Sequence, residues 1–178
     1  MRYTPPATSL ASLLAQYDDI GGCLDFVFIE SHDVFPPELL HRSAVLAGIK
    51  EIDANLDWDA SKLTGERITF SAFWGSDDVE PKPIGPNAYW LPKVDGYKTA
   101  FFLPPHGLGG PMDTQMGIFM SINKHVLGIE PQRAEIFSWS TDWSSYFEAG
   151  LEFWGAFMWT IRPIDTDRIV VVGASCTD

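Results

Sequence analysis

Cysteine is nearly absent from this chain, and the placement of the two residues excludes the common cysteine sites. The 178-residue sequence contains only Cys23 and Cys176, which match no metal-binding spacing. The N-terminal residues, Met1 to Pro6, lack the apolar core and small-residue cleavage site of a secretory signal. Because the cytoplasm is reducing, we expect two free thiols in a cytoplasmic protein.

Long apolar runs are also missing. No segment approaches the roughly 20 apolar residues that a membrane-spanning helix needs. No repeat, low-complexity tract or linker divides the chain, and its length fits one domain of about 100–200 residues. We therefore expect a single globular domain over residues 1–178, with no membrane partner.

Positive charge is scarce. There are 12 basic against 24 acidic residues, which gives a net charge of −12. Such a chain repels phosphate backbones, so nucleic acid is not the expected partner. No Lys or Arg occurs between Arg2 and Arg42, or from Ala134 to Ile161. A basic protein would be attracted to the resulting surface, although solubility alone also explains an acidic surface.

The motifs of familiar catalytic and cofactor sites are not found either. The loop Pro104–Pro111 contains Gly107, Gly109 and Gly110, but their spacing does not match a dinucleotide fingerprint, and no P-loop lysine follows. That stretch predicts a turn or a mobile flap. The four histidines form no HExxH pair, and no GxSxG sequence is present. The sequence thus predicts no catalytic residue, no metal site and no cofactor.

Aromatic residues, in contrast, are abundant, with seven Trp and twelve Phe. The most distinctive cluster runs from Trp139 to Trp159, and in its first part, from Ser138 to Glu148, the rings alternate with acids and hydroxyls. This composition is typical of a recognition surface, in which rigid rings anchor a partner and charges steer it. The candidate partner-binding residues are Trp139, Asp142, Trp143, Tyr146, Glu148 and Glu152. The alternative is that Trp143 and Phe147, one helical turn apart, both point into the core.

Local patterns predict an α+β protein. Predicted helices, marked by apolar spacing, proline or capping residues, cover Thr8–Asp19, a segment opened by Pro36-Pro37, Asp113–Leu127 and a short turn from Ser145 to Gly150. Predicted strands, rich in β-branched and aromatic residues, are Cys23–Glu30, Arg67–Trp74, Lys98–Leu103, Glu135–Trp139, Phe153–Ile161 and Arg168–Ala174.

Together these elements predict a mainly antiparallel sheet of five or six strands with two to four helices packed on it. The last two strands should form a hairpin, because their connection is too short for a parallel crossover. The strand Arg168–Ala174 is apolar without alternation and should be covered on both faces.

The leading functional interpretation is a non-catalytic binding protein with an acidic, aromatic surface for a basic protein partner. A toxin-neutralising immunity protein, matched to a basic nuclease toxin, is one form of it. A small enzyme or small-molecule binder is the alternative, with its pocket under the 75–96 and 104–111 loops. A hydrolase of this kind could be a glycosidase whose acids lie beside Trp139, Trp143 and Trp154. A structural subunit of an assembly is a third possibility.

Overall fold

One antiparallel sheet contains the strands found in the described part of the chain. The computed structural model describes residues 1–76, 94–151, 154–164 and 166–176. The strands are β1 (Arg2–Tyr3), β2 (Leu24–Glu30), β3 (Gly65–Ile68), β4 (Glu135–Trp139), β5 (Ala156–Arg162) and β6 (Arg168–Ser175). Their order across the sheet is β1-β2-β6-β5-β4-β3, with every neighbouring pair antiparallel. The predicted α+β class and strand number are confirmed.

Helices and short 3-10 turns connect these strands. The helices are α1 (Thr8–Asp19), α2 (Pro37–Ile52), α3 (Phe70–Trp74), α4 (Tyr97–Phe102), α5 (Met112–Val126) and α6 (Glu148–Leu151). The 3-10 turns are Ala60–Lys62, Pro131–Arg133 and Ser145–Phe147. The predicted helices α1, α2 and α5 are confirmed. None of the helices in the described ranges is long and apolar enough to cross a membrane.

The C-terminal hairpin is also confirmed. Strands β5 and β6 pair in antiparallel register, with Ile161 opposite Val170. Strand β6 is buried from Ile169 to Ala174, as expected for a strand covered on both faces.

Two hydrophobic clusters cover the two faces of the sheet. Val170 and Val172 face a cluster that includes apolar residues of α1, α4 and α5. Val171 points to the other face, where α2 packs. A Cβ on Gly48 of α2 would lie 2.9 Å from Val171, so this helix approaches the sheet more closely than an alanine would allow. The sheet is therefore the middle of three layers.

Two predicted strands are wrong. The segment Arg67–Trp74 is divided between β3 and α3, because the Thr69 hydroxyl accepts a hydrogen bond from the amide of Ala72 and caps a helix there. The segment Lys98–Leu103 lies in α4 and its C-cap. In that helix the Thr99 hydroxyl accepts hydrogen bonds from two preceding amides, and most of the side chains are buried, so no amphipathic pattern marks it.

The prediction of two free thiols is wrong as well, because Cys23 and Cys176 form a disulfide. Cys23 directly precedes β2 and Cys176 directly follows β6. These strands are neighbours, with Leu24 opposite Ala174, and the cysteine Cα atoms are 5.9 Å apart, within the range of disulfide geometry. Strand register thus pairs two cysteines that are far apart in the sequence. Most of the irregular stretch predicted at 75–96 lies outside the described residues.

Candidate functional site

An open groove of about 660 Å³ lies between two loops on the α2 side of the sheet. One loop precedes the 3-10 turn Ala60–Lys62, and the other follows β4. The groove has four carboxylates among its lining residues and one lysine, Lys62, together with two exposed apolar side chains, Trp58 and Leu151. We call it the acidic groove; its carboxylates are Asp57, Asp59, Asp142 and Glu148.

Backbone hydrogen bonds hold the two loops of the acidic groove together. The amide of Asp59 donates to the carbonyl of Trp143 at 2.7 Å, and the amide of Ser145 donates to the carbonyl of Asp57 at 2.9 Å. Trp58 and Ser144 form an antiparallel bridge between them. The groove is therefore shaped by main-chain pairing rather than by mobile side chains alone.

Asp59 is held in its charged form by its neighbours. Its Oδ1 atom accepts hydrogen bonds from the amide of Ser61 at 3.0 Å and from the Ser61 hydroxyl at 2.6 Å. These bonds, first the side-chain one and then the backbone one, lower the pKa of Asp59. The same contacts cap the 3-10 turn, so one carboxylate both orders the loop and adds negative charge to the groove.

The two tryptophans expected at the surface are core residues. Trp143 is 2% exposed, its ring packs edge-on against Phe147 with centroids 5.8 Å apart, and its Nε1 donates to the carbonyl of Ser140 at 2.7 Å. Trp139 is 5% exposed and donates to Thr160 Oγ1 at 2.8 Å. The alternative, in which Trp143 and Phe147 both point into the core, is therefore confirmed.

Tyr146 is half-buried and does not line the acidic groove. Its hydroxyl donates to Asp25 Oδ2 at 2.6 Å. Burial, and then the charge of Asp25, raise the pKa of Tyr146, while burial also raises the pKa of Asp25. The hydroxyl is thus already used inside the protein, where it links the turn after β4 to strand β2.

Three of the six predicted site residues therefore meet in the acidic groove: Asp142, Trp143 and Glu148. Trp139 and Tyr146 lie elsewhere, and the side chain of Glu152 lies outside the described residues.

Sequence reasoning missed Asp57, Trp58 and Asp59. Their acid–tryptophan–acid pattern resembles the Asp142-Trp143 pair that it selected, so the same composition test would have found them. Trp58 is 39% exposed, and the ammonium nitrogen of Lys50 lies 5.2 Å from the centre of its ring.

The glycine loop is a turn without the geometry of an anion site. Side-chain nitrogen Nε2 of Gln115 donates to the carbonyl of Leu108 at 3.1 Å and lies 3.3 Å from the carbonyl oxygens of Gly109 and Gly110. Carbonyl oxygens thus converge there, whereas anion sites present amides. Across the described ranges, no group of three or more metal-ligating side chains is placed to hold an ion.

Comparison of the chain with protein-family models, with curated proteins and with solved structures gives no significant match.

Proposed function

We propose that the protein is a non-catalytic binding protein whose acidic groove receives a basic segment of a protein partner. The observation that carries the proposal is the set of four carboxylates around the exposed ring of Trp58. Lys62 is the one basic residue among those that line the groove in the described part of the chain. A lysine or arginine of a partner would gain charge attraction there, and it could replace Lys50 in the cation–π contact with Trp58.

Preorganisation supports the same proposal. Because the loops are joined by main-chain hydrogen bonds, little conformational freedom is lost when a partner binds. Trp58 and Leu151 supply the apolar contact area, while the carboxylates at the rim act mainly on the rate of encounter.

A toxin-neutralising immunity protein remains one concrete form of this proposal, since such a protein must match a basic nuclease. The cytoplasmic location remains a prediction. The Cys23–Cys176 disulfide weighs against it, because disulfides persist mainly in oxidising compartments.

The glycosidase form of the enzyme alternative loses its main support. A sugar needs an exposed ring to stack on, and Trp139, Trp143 and Trp154 are each buried. Of the loops expected to cover a small-molecule pocket, residues 77–93 lie outside the described ranges.

The proposal is tested by capture and kinetics with two charge variants. Asp142→Asn combined with Glu148→Gln removes two groove charges and keeps the side-chain shapes. Asp18→Asn combined with Asp19→Asn removes two charges at the end of α1, on the opposite face of the sheet, where acids oppose the helix dipole. Both variants therefore carry the same net charge.

We expect wild type and the α1 variant to capture the same basic protein from the source lysate at low salt. The groove variant should associate with that partner several-fold more slowly, with little change in dissociation. Equal kinetics for the two variants, or no basic protein captured by wild type, would contradict the proposal.

A further inference from the structure

A second cleft, of about 370 Å³, lies at the other end of β4 from the acidic groove. It contains Arg67 from β3, Arg133 from the 3-10 turn Pro131–Arg133 and Arg162 from the end of β5. We call it the arginine cleft. Three of the six arginines of a chain with net charge −12 thus converge on one small cavity. Two carboxylates, Glu135 and Asp167, also line the cleft, so its positive side chains outnumber its negative ones by one.

The known contacts of Arg67 and Arg162 use a minority of their N–H donors. Arg162 Nε donates to the carbonyl of Thr166 at 3.3 Å. Arg67 Nη2 lies 3.5 Å from Glu135 Oε1, which is beyond ordinary hydrogen-bond length, and its side chain is 66% exposed. Each guanidinium has five donors, so both can still bind an oxyanion.

Two other charged residues of the arginine cleft, Arg133 and Asp167, already have ionic contacts. Arg133 pairs with Glu130 through Nη1, at 2.8 and 2.9 Å. Asp167 lies 3.1 Å from the Nδ1 atom of His32. Glu135 is different, because it faces both the cleft and the core.

Behind Glu135 lies the fully buried His41. Thr160 Oγ1 accepts a hydrogen bond from Trp139 Nε1 at 2.8 Å and is hydrogen-bonded to His41 Nδ1, also at 2.8 Å. The carboxylate of Glu135, which only accepts hydrogen bonds, favours the tautomer with the histidine proton on Nε2. That atom is buried without a hydrogen-bond partner and lies 3.4 Å from Glu135 Oε2.

The pKa of His41 also depends on the charges near it. Burial first, and then the charges of Arg162 and Arg67, lower the pKa of His41 to about 3. The imidazole is therefore neutral, and its contact with Glu135 is not an ion pair. The charges of the two guanidinium groups thus act on the buried imidazole.

We propose that the arginine cleft binds a phosphate group, either inorganic phosphate or a small phosphate monoester. Arg67 and Arg162 hold the anionic oxygens, and Glu135 accepts a hydrogen bond from the oxygen that keeps a proton. Guanidinium groups match phosphate oxygens in bidentate fashion. The cavity has room for a phosphate with a small organic substituent.

Glu135 makes this site selective. An ionised carboxylate only accepts hydrogen bonds, so it requires a ligand oxygen that carries hydrogen. Inorganic phosphate retains a proton near neutral pH, and a phosphate monoester retains one below its second pKa of about 6, whereas sulfate, which has the same shape, retains none. A sulfate oxygen facing Glu135 would place two negative groups in contact without a hydrogen, which lowers affinity.

Calorimetric titration with sodium phosphate, glycerol phosphate and sodium sulfate, at constant ionic strength and about pH 5.5, where both phosphate compounds keep a proton, tests the proposal. Wild type should bind inorganic phosphate or glycerol phosphate at least about tenfold more tightly than sulfate. Tighter binding of glycerol phosphate would identify the ligand as a monoester, and tighter binding of inorganic phosphate would identify the free anion. No saturable binding of either phosphate compound would overturn the proposal.

Three variants complete the test. Arg162→Gln should weaken phosphate binding at least about tenfold, while Arg2→Gln, an equal charge change on the opposite edge strand, should leave it unchanged. Glu135→Gln should remove the preference for phosphate over sulfate, because an amide can donate to sulfate. Equal phosphate affinity in wild type and Arg162→Gln, or equal affinity of wild type for phosphate and sulfate, would overturn the proposal even if Glu135→Gln fails to fold.

Discussion

Asp57 and Ser145 are hydrogen-bonded to each other in both directions. The amide of Asp57 donates to the Ser145 hydroxyl at 3.1 Å, and the amide of Ser145 donates to the Asp57 carbonyl at 2.9 Å. The two residues are 88 positions apart, so the acidic groove exists only when the loops before β3 and after β4 have come together. Its formation is coupled to folding of this half of the sheet.

Replacement of Trp143 and of Trp58 by alanine should have different effects on stability, because the first ring is in the core and the second is exposed. Trp143→Ala leaves a cavity beside Phe147 and should lower the free energy of unfolding by about 3–5 kcal/mol. Trp58→Ala, at a ring that is 39% exposed, should change it by less than about 1 kcal/mol and instead weaken partner binding. Urea unfolding of both variants measures the difference. Equal losses of stability would mean that Trp58 is as much a part of the core as Trp143.

A charge introduced into β6 should unfold the protein. Val171 of β6 is fully buried beneath α2. An unpaired charge in such a place costs several kcal/mol. Val34→Asp is the matched control, because Val34 is 99% exposed. Circular dichroism melting curves should show a cooperative transition for the control and none, or a much lower one, for Val171→Asp. An unchanged melting temperature in Val171→Asp would show that β6 is open on one face.

Acidification should destabilise the fold through His41. Its pKa is held at about 3, below the ordinary value of 6.5, mainly by burial. Between these values the unfolded chain takes up a proton that the folded protein does not. Stability is therefore complete above about pH 6.5 and decreases as pH falls toward 3, by up to about 1.4 kcal/mol per pH unit.

Nuclear magnetic resonance provides the direct check on His41. Its imidazole signals should not titrate between pH 7.5 and 4.5. Urea unfolding should show a shallower pH dependence in His41→Gln than in wild type. A His41 titration midpoint near 6.5 would contradict the neutral, buried imidazole.

The two cysteines should be oxidised in the native protein. Intact mass spectrometry should find the molecule two hydrogens lighter than the reduced chain. Because the disulfide joins residues separated by 153 positions, its removal should cost about 4–5 kcal/mol through the entropy of the unfolded chain. Urea unfolding with and without reductant measures this cost, and a Cys23→Ala, Cys176→Ala double variant should match the reduced protein. Thiol reagents that label both cysteines in unreduced, unfolded protein would contradict the bond.

The sequence predicted elements where local signals were strong. Helix α1 begins and ends where its apolar spacing and Gly21-Gly22 predicted, and α2 begins at Pro37. Helix α4 was missed because five of its six residues are buried, so its short sequence has no alternation of apolar and polar faces to detect. The disulfide was missed because neither the spacing of the cysteines nor the expected compartment indicates it. The register of β2 and β6 brings the two cysteines together.

The candidate site was predictable only in part. Asp142 and Glu148 were found because acids in an aromatic segment indicate a recognition surface. Composition alone does not distinguish a buried ring from an exposed one, so Trp139 and Trp143 were assigned to the wrong environment. Asp57 and Asp59 carry the same acid–tryptophan pattern, but their position beside Asp142 and Glu148 depends on contacts between segments that are distant in the sequence.

The Cys23–Cys176 bond also changes what a protease cut means for this molecule. All of the chain between the two cysteines, which includes the acidic groove and the arginine cleft, forms a single covalent ring. One cleavage within that ring opens it but releases no fragment. The two pieces stay joined by the disulfide until a reductant is added. The sheet would then hold a noncovalent complex of two pieces already in register, in which either site can retain its geometry after the backbone has been cut.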